Sequence, residues 1–218
     1  DDSSYSDFCI INEAIKQKKI IACISETIFI YEVFEKKERK NRLAQNKGRT
    51  SCETVAMANS VSTKMTIGPG PDSHLNCHPI LFEYLKLCRD LNVKILKTPR
   101  IGTFINDDLT PDDYLQDYCY SAYLRNERYG ECGRFIEDIL NSGKRSIDLL
   151  IGSYHGKDFF SKFKNIPEAD RKKVSKTLAE WADGDSIAAH YGYGNDYFCT
   201  RDFARSAGSQ SVFSNNNR

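Results

Sequence analysis

The run Ile20-Ile21-Ala22-Cys23-Ile24, followed by Ser25-Glu26, decides the fold class of this 218-residue chain. Consecutive apolar residues with β-branched members are typical of a strand that is buried on both faces of a parallel sheet. Ser25 and Glu26 end the strand and open a helix. The run therefore favours an α/β fold.

Helical and strand patterns alternate around this run. Before it, Phe8, Ile11 and Ile15 recur at helical spacing, which predicts an amphipathic helix. After it, residues 80–91 show a second helical pattern and residues 93–96 a second short apolar strand. Such alternation predicts parallel strands that are joined by helices.

Residues 47–76 interrupt the alternation. They are poor in large apolar side chains, rich in Ser, Thr and Asn, and end in Gly68-Pro69-Gly70-Pro71. Proline and glycine at this density cannot continue a helix or a central strand. This segment is predicted to be a mobile loop.

The C-terminal half is predicted to be mainly helical. Residues 111–140 carry helical patterns that break near Gly130 and Gly133, and Val174, Leu178 and Trp181 form one apolar stripe. The remaining predicted elements are a helix end near Asp183 and Gly184, a new helix from Asp185 to about Tyr191, and strands at residues 197–199 and 211–213.

Composition limits the class of protein. The chain has 31 basic and 30 acidic residues and is 40% hydrophobic, as in folded globular domains and unlike uniformly basic nucleic-acid binders. No apolar run approaches the ~18 residues that cross a bilayer, so no membrane segment is expected. The eight cysteines form no C-x-x-C pair, which indicates free thiols in a reducing, cytoplasmic setting.

Two acidic residues near the end of the chain are the strongest site candidates. Asp185 is expected in the first turn of a helix, where its carboxylate can cap amides or face a cleft. Asp202 follows the predicted strand at residues 197–199, at the end where ligands bind in open α/β sheets. Two carboxylates that converge need a proton or a cation between them, and Mg²⁺ or Mn²⁺ would also activate water. The alternative is that both are ordinary capping and turn residues.

The same residues carry a resemblance. Asp185-Ser186-Ile187-Ala188-Ala189, followed by Gly194-Asn195-Asp196-Tyr197-Phe198-Cys199-Thr200-Arg201-Asp202, resembles the C-terminal half of a PIN domain nuclease, with a strand that ends in Thr-x-Asp. Residues 20–32 are similar to a strand and turn of the family's N-terminal half, with Glu32 in its acidic position. The resemblance implies one PIN-like domain over residues 1–218, a three-layer α/β/α fold with a central parallel sheet, and a long, mostly helical insertion at about residues 35–180.

The resemblance also implies a site. The implied catalytic residues are Asp2, Glu32, Asp185 and Asp202, and the implied metal ligands are Asp1, Asp2, Glu32, Asp183, Asp185 and Asp202. The first acid is Asp1 or Asp2, after a strand that would precede residue 1, with Glu26 as a substitute; Asp183 competes with Asp185. Thr200 and Arg201 are expected to meet water and phosphate. The basic residues Lys36, Lys37 and Arg39 either contact phosphate or form a solvated helix face.

The implied function is metal-dependent endoribonuclease activity with Mg²⁺ or Mn²⁺, of the kind found in toxins that a protein inhibitor restrains. Self-association is a further expectation. One alternative is a catalytically silent PIN-like module that binds RNA or protein. Another is an α/β protein whose acidic residues serve only as caps.

Overall fold

The computed structural model describes residues 2–29, 47–57, 60–70, 79–98, 109–116, 119–139, 144–157 and 159–200. In this part the chain is a mixed α/β protein, mostly helical, with a small two-strand parallel sheet. The elements in chain order are α1 (Asp2–Lys16), β1 (Cys23–Ser25), β2 (Lys47–Met57), β3 (Ser60–Gly70), α2 (Pro79–Asp90), β4 (Lys94–Leu96), α3 (Ala122–Ile139), α4 (Lys144–Ile151), α5 (Phe159–Lys162) and α6 (Arg171–Tyr193).

Strand β1 pairs with β4 in parallel, with Cys23 opposite Lys94. Parallel pairing was predicted, but β1 begins three residues later than the apolar run does, and Ile21 is 68% exposed. The cause is the end of α1. Lys18 adopts a left-handed conformation (φ 56°) and Lys19 N–H bonds back to the carbonyl of Ala14, so the turn occupies the start of the run.

A tight turn delivers β4 to the sheet. Asn92 is left-handed (φ 53°), and the Val93 N–H donates to the Cys88 carbonyl at 2.7 Å, so the chain passes from α2 into β4 within three residues. The predicted helix at residues 80–91 is thereby confirmed, and its end fixes where the second strand starts.

Helices pack against both faces of the parallel pair. Ile95 packs with Leu81 and Leu85 of α2, whereas its neighbour Leu96 packs with Tyr129 of α3 and Ala188 of α6. Successive residues of a strand point to opposite faces, so α2 covers one face and α3 with α6 the other.

Residues 47–57 and 60–70 form two paired strands, so the predicted mobile loop is wrong for these residues. Strand β2 pairs antiparallel with β3 over eleven positions, and Pro69 pairs with Gly48 inside the ladder. A two-strand hairpin consists of two edge strands, and an edge strand tolerates a proline that a central strand would exclude.

The predicted helix breaks are also wrong. Helix α3 passes through Gly130 and Gly133, and α6 runs unbroken from Arg171 to Tyr193. The glycines of α6 serve close packing instead. A Cβ at Gly184 would lie 3.0 Å from Ile136 Cγ2, and one at Gly192 would lie 2.6 Å from Tyr129 Cβ. Helices α3 and α6 are therefore antiparallel neighbours in close contact.

The predicted stripe on α6 is confirmed. Val174, Leu178 and Trp181 are buried against Ile147 and Ile151 of α4 in one apolar cluster. None of the described helices is long and apolar enough to span a membrane.

Helix α6 ends at Gly194, whose left-handed backbone (φ 72°) brings the Asn195 N–H to the His190 carbonyl. The prediction of a buried strand at residues 197–199 is wrong, because these residues have no regular structure and Tyr197 is 87% exposed. The predicted strand at 211–213 lies outside the described residues.

Candidate functional site

The candidate site lies where the two parallel strands end. Ser25 ends β1, Glu26 and Thr27 follow it, and Thr98 follows β4 by two residues; all four are buried. The carboxyl ends of parallel strands meet at one edge of the sheet, which is where open α/β folds bind ligands. The sheet therefore gathers polar side chains at a single edge.

Asp185 joins this edge from the middle of α6. It follows Leu178 by seven residues and Trp181 by four, so it lies on the core face of the helix and is fully buried. The Tyr129 hydroxyl on α3 donates to Asp185 Oδ1 at 2.5 Å, and the Thr27 hydroxyl donates to Oδ2. Both carboxylate oxygens thus accept hydroxyl protons from other elements.

The hydroxyl groups form a chain with one direction. Because Thr27 gives its single hydroxyl proton to Asp185, the Thr98 hydroxyl, 2.8 Å away, must donate to Thr27. Thr98 Oγ1 in turn accepts the Thr27 N–H at 3.2 Å and lies 3.4 Å from Ser25 Oγ. Asp185 is the final acceptor of this chain.

Glu26 is the second buried carboxylate at this edge. Its Oε2 accepts the backbone N–H of Thr98 at 3.1 Å, while the Thr98 side chain leads through Thr27 to Asp185. Thr98 therefore connects the two acids, one through its backbone and one through its hydroxyl. Burying a carboxylate is unfavourable unless it is hydrogen-bonded or its charge is balanced, and both acids here accept hydrogen bonds.

Tyr193 holds the approach to Thr98 in place. Its hydroxyl accepts the Lys97 N–H at 2.8 Å and donates to the Lys97 carbonyl at 3.3 Å. The Arg125 guanidinium lies 4.9 Å above the Tyr193 ring. The last turn of α6 thus fixes the backbone that presents Thr98 to Glu26.

The pKa values near the site follow from burial. Burial, and then the negative charge of Glu26, raise the pKa of Tyr114 to about 12. Burial raises the pKa of the Cys23 thiol to about 11, and it lowers the pKa of His190 against the opposing charge of Asp196. Cys23 is therefore a protonated thiol near neutral pH and not a nucleophile, since the thiolate is the reactive form.

Of the predicted metal ligands, the structure brings Asp185 into this cluster and leaves Asp183 out of it. The two are two positions apart on α6, which places them about 200° apart around the helix. The prediction that Asp185 begins a helix is wrong; its carboxylate reaches the sheet edge because α6 continues past Gly184.

Thr200 is exposed beyond the end of α6. The Asp2 backbone opens α1, and its side chain is not among those described. The remaining predicted site residues lie outside the described residues: Asp1, Glu32, Lys36, Lys37, Arg39, Arg201 and Asp202.

The described donors fit part of a magnesium site. Glu26 and Asp185 offer oxygen ligands, and Mg²⁺ usually takes one or two carboxylates and completes its coordination with water. Within the described part of the chain, no group of three or more His, Cys, Asp or Glu residues is arranged to hold a metal ion. Any third carboxylate would have to come from outside the described residues.

Sequence reasoning missed Thr27, Thr98 and Tyr129, and it named Glu26 only as a substitute. A usable signal exists for Glu26, Thr27 and Thr98, because each follows a predicted buried strand by two or three residues. Tyr129 carried none, since its role depends on the packing of α3 against α6.

Comparisons of the chain with known protein families, with curated proteins and with solved structures found no match.

Proposed function

We propose that the chain is a metal-dependent endoribonuclease of PIN-like, three-layer α/β/α fold, with Glu26 and Asp185 as carboxylates of the active site. The observation that carries the proposal is that these two acids are buried together at the carboxyl ends of β1 and β4, where Thr98 connects them. Helices on both faces of the sheet support the fold assignment.

Glu26 takes the role of the first acid in this proposal, in place of Asp1 or Asp2. It directly follows β1, and the sequence names it as the substitute for Asp1 or Asp2 because it lies at a strand end. Glu32 and Asp202, outside the described residues, are proposed to complete the ligand set. Mg²⁺ or Mn²⁺ bound there would activate water and stabilise negative charge on the phosphate.

The protein's own residues prepare the carboxylates. The hydroxyls of Thr27 and Tyr129 fix both oxygens of Asp185, so its orientation is set before any ligand binds. The Thr98 N–H fixes Glu26 in the same way. Thr27, Thr98 and Tyr129 are positioning residues, because they act through the two acids.

The test is cleavage of end-labelled RNA with Mn²⁺ by the wild-type protein and by Asp185→Asn and Glu26→Gln. We expect each variant to lose about 100-fold or more in rate, because each removes a proposed ligand. Asp183→Asn is the matched control, since it makes the same change on the other face of α6 and should cleave as the wild type does.

Metal binding supplies a second measurement. Calorimetry should detect Mn²⁺ binding to the wild type and its loss in Asp185→Asn, with circular dichroism to verify that the variant is folded. Equal cleavage by Asp185→Asn and the wild type would refute the proposed site. The Asp202→Asn variant tests the ligand proposed from outside the described residues in the same assay.

A second candidate is a catalytically silent PIN-like module that binds RNA or protein. The observation in its favour is that two hydroxyls already satisfy Asp185 and that the described residues contain no three-ligand metal group. Absence of Mn²⁺ binding at millimolar metal, together with intact RNA binding, would favour this candidate. A protein inhibitor and self-association are further proposals under either function.

A further inference from the structure

Three exposed lysines, Lys172, Lys173 and Lys176, occupy one side of the first two turns of α6. At about 100° per residue they fall within an arc of about 100°. The buried stripe that begins at Val174 lies on the opposite side of the helix. These three residues, the α6 lysine surface, therefore face away from the core.

The surrounding segment concentrates positive charge. Residues 157–176 contain seven Lys and Arg but three Asp and Glu, whereas the whole chain is nearly balanced with 31 against 30. Local partners engage two of these acids: Glu168 pairs with Arg171 at 2.5 Å, and Asp170 accepts a hydrogen bond from the Tyr154 hydroxyl. Within the residues that the structure describes, the α6 lysine surface makes no ion pair.

This charge lies where it opposes helix stability. The amino end of a helix carries partial positive charge and is stabilised by acidic side chains. The N-cap of α6 is Asp170, whose side chain makes no capping hydrogen bond, and the first turn that follows contains no acid. Lysines at this end repel the helix dipole and add to its positive potential. An anionic partner would relieve that repulsion.

The side chains around the α6 lysine surface favour a nucleic acid over a lipid bilayer as the anionic partner. The large apolar side chains described in this segment, Phe163, Ile166 and Val174, are buried, so they are not available for insertion into a bilayer. Lysine ammonium groups on a helix bind phosphates as point charges and read no base sequence.

We propose that the α6 lysine surface binds the phosphate backbone of a nucleic-acid strand. The choice of nucleic acid as the polyanion rests on the proposed function, but binding does not require cleavage. The surface lies about 14–20 Å from Asp185 along the helix axis and on another face of α6, so it anchors a strand away from the candidate site.

The test is the affinity of the full chain for fluorescently labelled single-stranded RNA, measured by anisotropy in EDTA so that no metal-dependent cleavage occurs. The variant combines Lys172→Ala, Lys173→Ala and Lys176→Ala. We expect Kd to rise about tenfold or more and the slope of log Kd against log salt to fall by about 2, because each phosphate contact on a single strand contributes about 0.7.

The matched control combines Lys16→Ala, Lys18→Ala and Lys19→Ala, which removes the same charge from three exposed lysines at the end of α1 and just after it. This control should bind nearly as tightly as the wild type. The Tm of the α6 variant should be no lower than that of the wild type, since its lysines oppose the helix dipole.

An unchanged Kd in the α6 variant, or equal losses in both triple variants, would overturn the proposal. The proposal would also be overturned if the wild type bound phosphatidylserine vesicles more tightly than RNA and the α6 variant lost that vesicle binding, because the surface would then recognise lipid headgroups. Wild-type protein that binds RNA through these lysines but does not cleave it with Mn²⁺ would refute the proposed function and leave this inference standing.

Discussion

Replacing Thr27 with valine tests the buried chain of hydroxyls most directly. Valine has nearly the same shape, so Thr27→Val leaves the packing intact and removes one oxygen. Asp185 Oδ2 then loses the Thr27 hydroxyl as a donor, and the Thr98 hydroxyl exchanges its acceptor at 2.8 Å for Ser25 Oγ at 3.4 Å. The change isolates the polar contribution of a fully buried position.

The expected loss follows from the two partners. A hydrogen bond to a charged group contributes about 1.5–3 kcal/mol, and the neutral hydrogen bond from Thr98 that is exchanged for a longer one contributes about 0.5–1.5 kcal/mol. Some relaxation reduces the sum, so we expect Thr27→Val to lower the free energy of unfolding by about 3 kcal/mol. For a domain of this size that corresponds to a decrease in Tm of about 6–12 °C.

Urea denaturation and scanning calorimetry at pH 7 measure both quantities. Thr177→Val is the matched control, because the Thr177 hydroxyl bonds only to the Lys173 carbonyl of its own helix surface at 3.0 Å. That change should stay within about 0.5 kcal/mol of the wild type. A Tm for Thr27→Val within about 1 °C of the wild type would refute the hydroxyl chain as described.

Two further predictions concern the framework. The hydrogen bond from Arg89 lowers the pKa of Asp113 well below its usual range. The pair therefore stabilises the fold fully above the unfolded pKa of about 4, and less as the pH falls below that value. Arg89→Met should be less stable than the wild type in urea at pH 7, and a difference in stability that did not become smaller at pH 3 would contradict this. Gly192→Ala should destabilise the protein by about 1–3 kcal/mol, because the new Cβ would lie 2.6 Å from Tyr129 Cβ. The control Gly130→Ala should be neutral or stabilising, because its Cβ would lie 3.5 Å from the Arg134 side chain. Equal Tm values for the two variants would show that α3 and α6 have room between them.

Apolar spacing accounts for what the sequence could predict. The stripe from Val174 to Trp181, the helix at residues 80–91 and the parallel strands all follow from the burial of apolar side chains. These patterns depend only on which side chains in one segment are apolar. The position at which an element ends depends also on the conformation of neighbouring segments. Lys18 shows this, because its left-handed turn displaces the start of β1 without any glycine to signal it.

The wrong predictions based on glycine and on proline have the same physical reason. Gly130, Gly133 and Gly184 were interpreted as helix breaks, although glycine also permits two helices to approach closely, and only the neighbouring helix decides between the two roles. Pro69 excluded a central strand but not an edge strand, and the number of strands in a sheet is not visible in one segment. Both errors concern partners that are distant in sequence.

The buried polar cluster is better explained by a site than by stability alone. Replacing both partners of a buried hydrogen bond by apolar groups of the same shape can be nearly neutral or stabilising, so folding alone does not require two acids and four hydroxyls at this edge. The cluster also lies at the strand ends where α/β folds bind ligands. The hydroxyl protons of Thr27 and Tyr129 point at Asp185, and that of Thr98 points at Thr27. A capping role for Asp185 is inconsistent with its place in the middle of α6, since a cap belongs at a helix end. Hydrogen bonding therefore explains how these side chains are satisfied, and the proposed site accounts for the presence of two acids among them.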